Sequence, residues 1–319
     1  MVTMRIIFFG TPAFAERSLA RLVESRHRVV AVVTRADRPR GRGQKVLPSP
    51  VKAYAEARGI PVLQPERIRD DGFLREISAM NADLAVVAAY GKILPQPLID
   101  APRLGTINVH ASLLPRWRGA APVHRAILAG DAETGVTIMR VVQALDAGPM
   151  LSSRRTSIGH EETSADLEVR LASIGADLLV ETVDAMEAGP LAETPQPESG
   201  VTYAARLEKH ESRVDWNRPA TEIHDQIRGL QPWPLASVVL NGRRLLLLGA
   251  EVGGEASSRV EPGTVASVEP AGIVVAAASG TVRITRLKLE GKPAVSAKDF
   301  LNGHRVAPGD RMEPMAVDR

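Results

Sequence analysis

Hydrophobic and polar positions follow two alternating periods in the first half of the chain. Residues 5–10 form an apolar run that ends at a glycine, which is typical of a strand buried on both faces. In residues 13–24 the apolar side chains recur at helical spacing, and residues 27–34 form a second, valine-rich apolar run. A strand, a helix and another strand within about 30 residues predict a βαβ unit and therefore a parallel sheet.

The same alternation continues to residue 189. Further strands are predicted at 61–63, 83–89, 104–110 and 135–142. Further helices are predicted at 51–58, 71–80, 122–129 and 163–187. This repetition predicts a doubly wound, mostly parallel α/β domain, Rossmann-like, for residues 1–189, in which ligands bind at the carboxyl ends of the strands. The first turn, at residues 10–13, lacks the three-glycine dinucleotide fingerprint, so NAD binding is disfavoured.

The pattern changes after a proline-rich stretch at 190–207, which we interpret as a linker. One helical stretch at 220–230 is followed by five short β-type runs separated by glycine-containing turns. These runs are 236–240, 244–248, 263–268, 272–276 and 281–289. We therefore predict a small antiparallel OB-like β-barrel domain at 208–319, whose last residues, 309–319, form a frayed tail.

Composition restricts the class of protein. The 319 residues, 44% of them hydrophobic and 24% charged, suit a globular protein of two domains, and a formal net charge of +3 does not by itself predict nucleic-acid binding. The absence of cysteine excludes disulfides, thiolate nucleophiles and cysteine–zinc sites. No apolar run reaches about 18 residues and no signal peptide is recognised, so we predict no membrane span and a cytoplasmic location.

Six histidines show no spacing typical of metal ligands, and we therefore also predict no metal site. They are His27, His124, His160, His210, His224 and His304.

The remaining histidine stands in the richest chemical pattern of the chain. Asn108 and His110 are two residues apart on a predicted strand, so their side chains share one face at the strand's carboxyl end. Asp146, next to a glycine after the following strand, could reach the same crevice. An amide, an imidazole and a carboxylate suit acyl transfer to an amine without a metal or a nucleophilic serine or cysteine. The alternative is structural: a polar strand end with a satisfied histidine, and an aspartate that forms a turn.

Short motifs around these residues decide between the two interpretations. Asn108-x-His110-x-Ser112-x-Leu114-Pro115, with Leu145-Asp146-x-Gly148 downstream, resembles the 10-formyltetrahydrofolate-dependent formyltransferases. The resemblance extends over nearly the whole chain. It implies that 10-formyltetrahydrofolate donates the formyl group, that Asn108 and His110 stabilise an oxyanion, and that Asp146 holds His110 and assists proton removal from the attacking amine. It implies folate contacts at Tyr90, Gly91, Ser112, Leu113, Leu114 and Pro115.

Two basic regions bear on the acceptor. Residues 35–45 carry five basic side chains and one acid, and the prolines and glycines predict an irregular loop, either simply solvated or in contact with RNA. The resemblance implies the second, with Arg42 wedged into a tRNA acceptor stem beside Arg38, Arg40 and Lys45. On the barrel, Arg283, Arg286 and Lys288 are either ordinary surface charge or RNA contacts.

The function that the resemblance implies is formyl transfer to the α-amine of methionine esterified to initiator tRNA, by a monomer. Two alternatives remain. One is formyl transfer to a small nucleotide or nucleotide-sugar amine, for which a catalytic domain alone would be sufficient. The other is a non-catalytic RNA-binding protein, which would not need Asn108, His110 and Asp146 together.

Overall fold

The computed structural model of the chain describes residues 3–40, 45–254 and 260–315. The chain divides into two compact units. The first comprises residues 1–122, 133–157 and 168–204. The second comprises residues 123–132, 158–167 and 205–319. The domain boundaries predicted at residues 189 and 208 remain a prediction.

Strands and helices are numbered here in chain order. The strands are β1 (Arg5–Gly10), β2 (Arg28–Val33), β3 (Arg38–Arg40), β4 (Lys45–Leu47), β5 (Val62–Leu63), β6 (Leu84–Ala88), β7 (Thr106–His110), β8 (Arg118–Gly119), β9 (Glu133–Arg140), β10 (Met150–Ser157), β11 (Tyr203–Ala204), β12 (Ala236–Leu240), β13 (Arg243–Gly253), β14 (Val265–Glu269), β15 (Gly272–Ala276), β16 (Thr281–Leu289), β17 (Val295–Ser296) and β18 (Met312–Pro314). The helices are α1 (Ala13–Val23), α2 (Pro50–Glu56), α3 (Asp71–Ala79), α4 (Gln96–Asp100), α5 (Pro122–Leu128), α6 (Ser164–Ala188), α7 (Ala220–Gly229) and α8 (Ala297–Gly303), with a 3-10 turn at Lys209–Ser212.

The first unit contains a seven-stranded sheet in the order β10-β9-β7-β6-β1-β2-β5. The five strands from β7 to β5 are parallel, which confirms the predicted mostly parallel α/β fold. Strand β1 lies near the middle, and its residues 6–10 are fully buried, as expected for a parallel strand covered on both faces. The carboxyl ends of β1, β6 and β7 therefore lie at the same edge of the sheet.

The last two strands of this sheet run the other way. β9 is antiparallel to β7, with His110 paired to Thr137 and Ile107 to Arg140, and β10 is antiparallel to β9. The carboxyl end of β9 therefore lies at the amino end of β7. Residues 150–157 were not predicted as a strand, because their sequence is mostly polar and only pairing with β9 makes them one.

In the second unit the antiparallel sheet has the order β14-β15-β16-β13-β12-β18, with β17 attached to β16. The first and last strands of this order are joined by backbone hydrogen bonds from Val265 N–H to the Asp310 carbonyl (2.8 Å) and from Met312 N–H to the Gly263 carbonyl (2.7 Å). The sheet thus curls round a core to which α7 contributes Ile223 and Ile227. This confirms the predicted small barrel.

Two predictions about local structure are wrong. Residues 312–314, in the predicted frayed tail, instead form a strand of the barrel by pairing with β12. The predicted irregular loop at 35–45 contains the antiparallel pair β3 and β4. Part of the predicted linker is also paired, since β11 lies parallel to β8 in the first unit. In the described ranges, no helix is long and apolar enough to cross a membrane.

Candidate active site

Strand β7 supplies two of the three predicted catalytic side chains. Its apolar residues Ile107 and Val109 are 0% and 3% exposed, and Val109 packs against α6 where Gly175 leaves no side chain in the way. The alternation of the strand places Asn108 and His110 on its other face. Asn108 is partly exposed and His110 is 5% exposed, so both stand at the edge of the sheet where ligands of parallel α/β folds bind.

The imidazole of His110 is held by the turn that follows β7. Its Nε2 lies 2.9 Å from the carbonyl oxygen of Trp117. A carbonyl can only accept, so Nε2 carries the proton and donates it. Nδ1 is then the nitrogen left to take or give a proton at the site, and it faces the Asp146 carboxylate, whose Oδ2 lies 3.8 Å away. That separation is longer than a hydrogen bond, so both groups remain able to contact a substrate atom.

Asp146 reaches His110 by a route that the sequence pattern did not indicate. Because β9 is antiparallel to β7, the loop after β9 starts at the far end of β7 and must return along the sheet. The return is secured by the N–H of Gly119, which donates to Oδ2 of Asp146 (2.8 Å). Asp146 adopts a left-handed backbone conformation, with φ of 45°. The prediction that Asp146 lies beside His110 agrees with the geometry, although the reason is this loop rather than adjacent parallel strand ends.

Two functional groups were missed by reasoning from the sequence. The Trp117 carbonyl orients His110, and the Gly119 N–H holds Asp146. Both are main-chain groups, which no side-chain motif reveals. The φ angles of Trp117 and Gly119 are 65° and 123°, and the glycine is required because a Cβ there would lie 2.8 Å from the Ala204 carbonyl oxygen.

Three of the residues predicted to contact folate have buried side chains, whereas Leu113 and Pro115 are partly exposed. Tyr90 is 1% exposed and meets Phe9 edge-on at 5.6 Å between ring centroids, and burial raises the pKa of its phenol to about 12. Ser112 is fully buried, and its hydroxyl donates to the Arg116 carbonyl (2.6 Å). Leu114 is 7% exposed. A folate role for these residues would therefore rest on main-chain groups and on the shape of the loops.

These loops nevertheless meet at one edge of the sheet. The Thr11 hydroxyl, after β1, donates to the Tyr90 carbonyl after β6 (3.4 Å). The Gln143 amide, in the loop that carries Asp146, donates to the Leu94 carbonyl (3.3 Å). Gly91, between them, is exposed and has φ of 79°. Hydrogen bonds thus link the segment after β1 to the segment after β6, and that segment to the loop after β9.

Hydrogen bonds hold the chain just before β3, the first strand of the basic hairpin that β3 and β4 form. The Asp37 carboxylate accepts from Lys52 Nζ (2.5 Å) and from the Gln64 amide (3.0 Å), and that amide also donates to the Arg35 carbonyl (2.8 Å). The one acid of the basic run is therefore engaged in holding the hairpin. Arg42 lies outside the described residues. The backbones of Arg38, Arg40 and Lys45 belong to β3 and β4.

The three predicted RNA contacts of the barrel lie on β16. They differ in whether acidic side chains pair with them. Arg283 pairs with Glu251 (3.0 Å) and Glu269 (3.2 Å), and these contacts raise its pKa. Arg286 and Lys288 make no ion pair within 4.0 Å among the residues that the structure describes. Their charges are thus more available to a polyanion than that of Arg283.

The second unit also brings together residues that their spacing keeps apart. His160, Glu161 and His224 place ligand-type atoms within 4.8 Å of one another. The spacing of these residues along the sequence could not indicate this cluster, and the absence of a bound metal remains a prediction. His224 is almost fully buried, with Nε2 3.3 Å from Glu161 and Nδ1 3.8 Å from Asp225. Burial lowers the pKa of His224, but its contacts with the two carboxylates raise it overall.

Comparison with known proteins identifies the family. The sequence matches the family described as Formyl transferase over residues 4–183, more than half of the chain. The chain belongs to the formyl transferase family. A second match, to the C-terminal domain of formyl transferases, spans residues 206–305. The predicted class of enzyme is thereby confirmed.

Curated relatives of this formyl transferase align over almost their full length. It is 49% identical to the methionyl-tRNA formyltransferase of Stutzerimonas stutzeri over 308 residues, which cover 96% of this chain and 97% of the relative. It is 46% identical to the methionyl-tRNA formyltransferase of Coxiella burnetii over 313 residues, 98% of each chain.

Solved structures share the fold at low identity. An N-formyltransferase from Helicobacter canadensis, solved with folinic acid and dTDP-3-aminofucose, has a TM-score of 0.66 at 17% identity and covers 89% of this chain and 98% of its own. HypX from Aquifex aeolicus, solved with tetrahydrofolic acid, has a TM-score of 0.63 at 19% identity and covers 95% of this chain and 47% of its own.

Proposed function

We propose that this formyl transferase moves the formyl group of 10-formyltetrahydrofolate to the α-amine of methionyl initiator tRNA. The observation that carries the chemistry is the imidazole of His110, held by the Trp117 carbonyl so that Nδ1 faces the carboxylate of Asp146. The choice of acceptor follows from the relatives of 46–49% identity, which bear the name of that reaction.

The reaction is a transfer between two nitrogens through a tetrahedral carbon. The neutral α-amine adds to the formyl carbon, and the carbonyl oxygen takes up the negative charge. The Asn108 amide N–H and the protonated His110 stabilise that oxyanion from the same face of β7. As the carbonyl re-forms, the folate nitrogen takes up a proton and leaves as a neutral secondary amine, and the attacking amine loses one proton in exchange. Asp146, 3.8 Å from His110, is placed to accept that proton and to stabilise the imidazolium.

The formyl donor would lie against the loops after β6 and β7. Support comes from the Gln143–Leu94 hydrogen bond, which holds the loop that carries Asp146 against the segment after Tyr90. We retain Gly91 and the 112–115 loop as folate contacts, through main-chain groups and apolar surface. No step of this scheme needs a metal.

The acceptor would be a large polyanion. The basic run 35–45, with Arg38, Arg40, Arg42 and Lys45, supplies one set of cations for the acceptor stem. On the barrel, the available charges of Arg286 and Lys288, with Arg283 beside them, supply another. A small nucleotide-sugar amine would need neither set. We expect the protein to be a monomer. We expect it to be located in the cytoplasm, where the translation machinery would use the product.

The chemical test replaces Asp146 by Asn. The side-chain amide oxygen can still accept from the Gly119 N–H, so the loop is preserved while the negative charge is removed. We expect turnover to fall by about 100-fold or more while folate affinity stays close to that of the parent enzyme. Near-normal turnover of this variant would refute the role of Asp146.

The acceptor test compares substrates in one formyl-transfer assay. Methionyl initiator tRNA should be formylated, whereas uncharged tRNA and nucleotide-sugar amines should not. Arg42→Ala should weaken the use of tRNA with folate affinity unchanged. Formylation of a nucleotide-sugar amine, with no product from methionyl-tRNA, would instead establish the alternative function.

A further inference from the structure

Residues 194–204, in the segment that the sequence predicts as a linker, bind the two loops that carry the catalytic geometry. We call this segment the strap. At one end, Thr194 and Met150 exchange two backbone hydrogen bonds of 2.9 and 2.8 Å. At the other, β11 pairs with β8, and the Thr202 hydroxyl accepts from the Trp117 N–H (2.8 Å). The strap is therefore fixed at both ends within the first unit.

Gln196 lies within the strap and uses both ends of its amide. Its Nε2 donates to the main-chain carbonyls of Asp146 and Gly148, both at 2.8 Å. Its Oε1 accepts from Nε of Arg118 at 2.9 Å. The opposite orientation of the amide would place oxygen against two carbonyl oxygens and nitrogen against a guanidinium, so only one orientation satisfies all three bonds.

The contacts of Gln196 close a ring that includes the Asp146 carboxylate. Arg118, which Gln196 holds, directly precedes Gly119, and the Gly119 N–H donates to Oδ2 of Asp146 (2.8 Å). The carbonyl of the same aspartate accepts from Gln196. One residue thus fixes both the donor that holds the carboxylate and the main chain of the residue that bears it.

This ring acts on a strained conformation. Asp146 has φ of 45°, in the left-handed region that favours glycine, and a residue with a side chain stays in that region only where its surroundings enforce it. Two hydrogen bonds to the carbonyls at 146 and 148 provide such enforcement. Without them the loop is free to relax, and the carboxylate would move relative to His110.

We propose that Gln196 is a positioning residue for formyl transfer: it clamps the Asp146 loop to the Trp117–Gly119 turn and thereby sets the distance between the Asp146 carboxylate and His110. This inference rests on the proposed function for its kinetic readout and on the hydrogen-bond ring for its structural one. Gln196 contacts neither reactant, so its effect passes entirely through Asp146 and Arg118.

The test uses the full chain with Gln196→Leu, which keeps a similar volume but removes all three hydrogen bonds. Because a displacement of about 1 Å in a catalytic group costs up to about 100-fold in rate, we expect kcat to fall about 10- to 100-fold while the KM for folate changes little. The matched control is Glu198→Leu, an exposed polar residue of the same strap, which should leave kcat unchanged.

A double-mutant cycle separates positioning from general destabilisation. In the Asp146→Asn background the charge that Gln196 positions is already gone, so Gln196→Leu should cost little more. A merely structural role would reduce activity by the same factor in both backgrounds, and that additivity would overturn the proposal.

Hydrogen–deuterium exchange gives a readout that does not depend on the acceptor. In Gln196→Leu, peptides covering 117–120 and 144–148 should exchange faster than in the parent enzyme, and peptides of the barrel should not. Unchanged exchange in both loops would overturn the proposal even if activity fell. Absence of transfer by the parent enzyme itself would refute the proposed function, and the exchange result would still decide the role of Gln196.

Discussion

Gly148→Ala should damage catalysis more than folding, because Gly148 lies where the returning Asp146 loop crosses β9. A Cβ at this position would lie 1.9 Å from the carbonyl oxygen of Arg140, whereas real Cβ contacts do not come closer than 3.0 Å. The two backbones must therefore separate by about 1.1 Å, and the Arg140 N–H bond to the Pro149 carbonyl (2.9 Å) lies in the strained region.

Two magnitudes follow from this displacement. Overpacking that only a backbone shift can relieve costs about 1–3 kcal/mol of unfolding free energy. A shift of about 1 Å in the Asp146 carboxylate reduces kcat by about 100-fold. Catalysis should thus fall much further than the fraction of folded protein.

The assay is formyl transfer under saturating donor, together with thermal unfolding followed by circular dichroism. The matched control is Gly189→Ala, at the end of α6, where an added Cβ meets nothing within 4 Å and φ is not positive. The control should keep both activity and unfolding temperature. Parent-like turnover of Gly148→Ala would show that the position of the Asp146 loop does not limit the reaction.

Three further predictions test other parts of the molecule. Leu287→Ala removes a fully buried side chain of the barrel and should cost about 2–5 kcal/mol in urea unfolding; a loss near zero would contradict the described core. Asp37→Ala removes the acceptor at the base of the basic hairpin and should speed tryptic cleavage within residues 38–47; an unchanged cleavage rate would contradict that role. The pKa of His224 is raised above 6.5 in the folded state. The stabilisation of the fold by its ion pair with Glu161 is therefore fully present below pH 6.5 and is lost as pH rises through the folded pKa. The pKa of Glu161 is lowered from 4.5, since contacts with two histidines outweigh burial, so its contribution is lost as pH falls through the folded value. The unfolding free energy that Glu161→Gln removes should therefore peak between these limits and shrink as pH rises through the folded pKa of His224, and a pH-independent difference would contradict the assignment.

Local periodicity was sufficient for most of the regular elements. The runs at 5–10, 272–276 and 281–289 match β1, β15 and β16 residue for residue. Their apolar residues are consecutive or recur mostly at every second position, which is the local signal of a strand. The prediction of the fold class follows from such runs together with the helical segments between them.

Elements defined by their partners were not predictable in this way. β10 has few apolar residues and is a strand through its pairing with β9. β18 is likewise a strand through its pairing with β12. Strand β3 contains Pro39, which argued for irregular structure, yet β3 pairs with β4. In each case the hydrogen-bond partner lies in another segment, so no local pattern records it.

The sequence by itself determined the chemistry of the site. The two-residue spacing of Asn108 and His110 on an apolar strand already placed an amide and an imidazole on one face, and the motifs around them indicated formyl transfer. Side-chain identity and strand period are local properties, and both can be read from the chain.

Only the tertiary structure decided how that chemistry is aligned. The Trp117 carbonyl fixes which ring nitrogen of His110 donates, and the antiparallel β9 forces the Asp146 loop to return. The Gln196 amide, 50 residues along the chain from Asp146, clamps this loop. Hydrogen bonds of main-chain groups depend on distance and angle rather than on residue type. They exist only once the chain has packed.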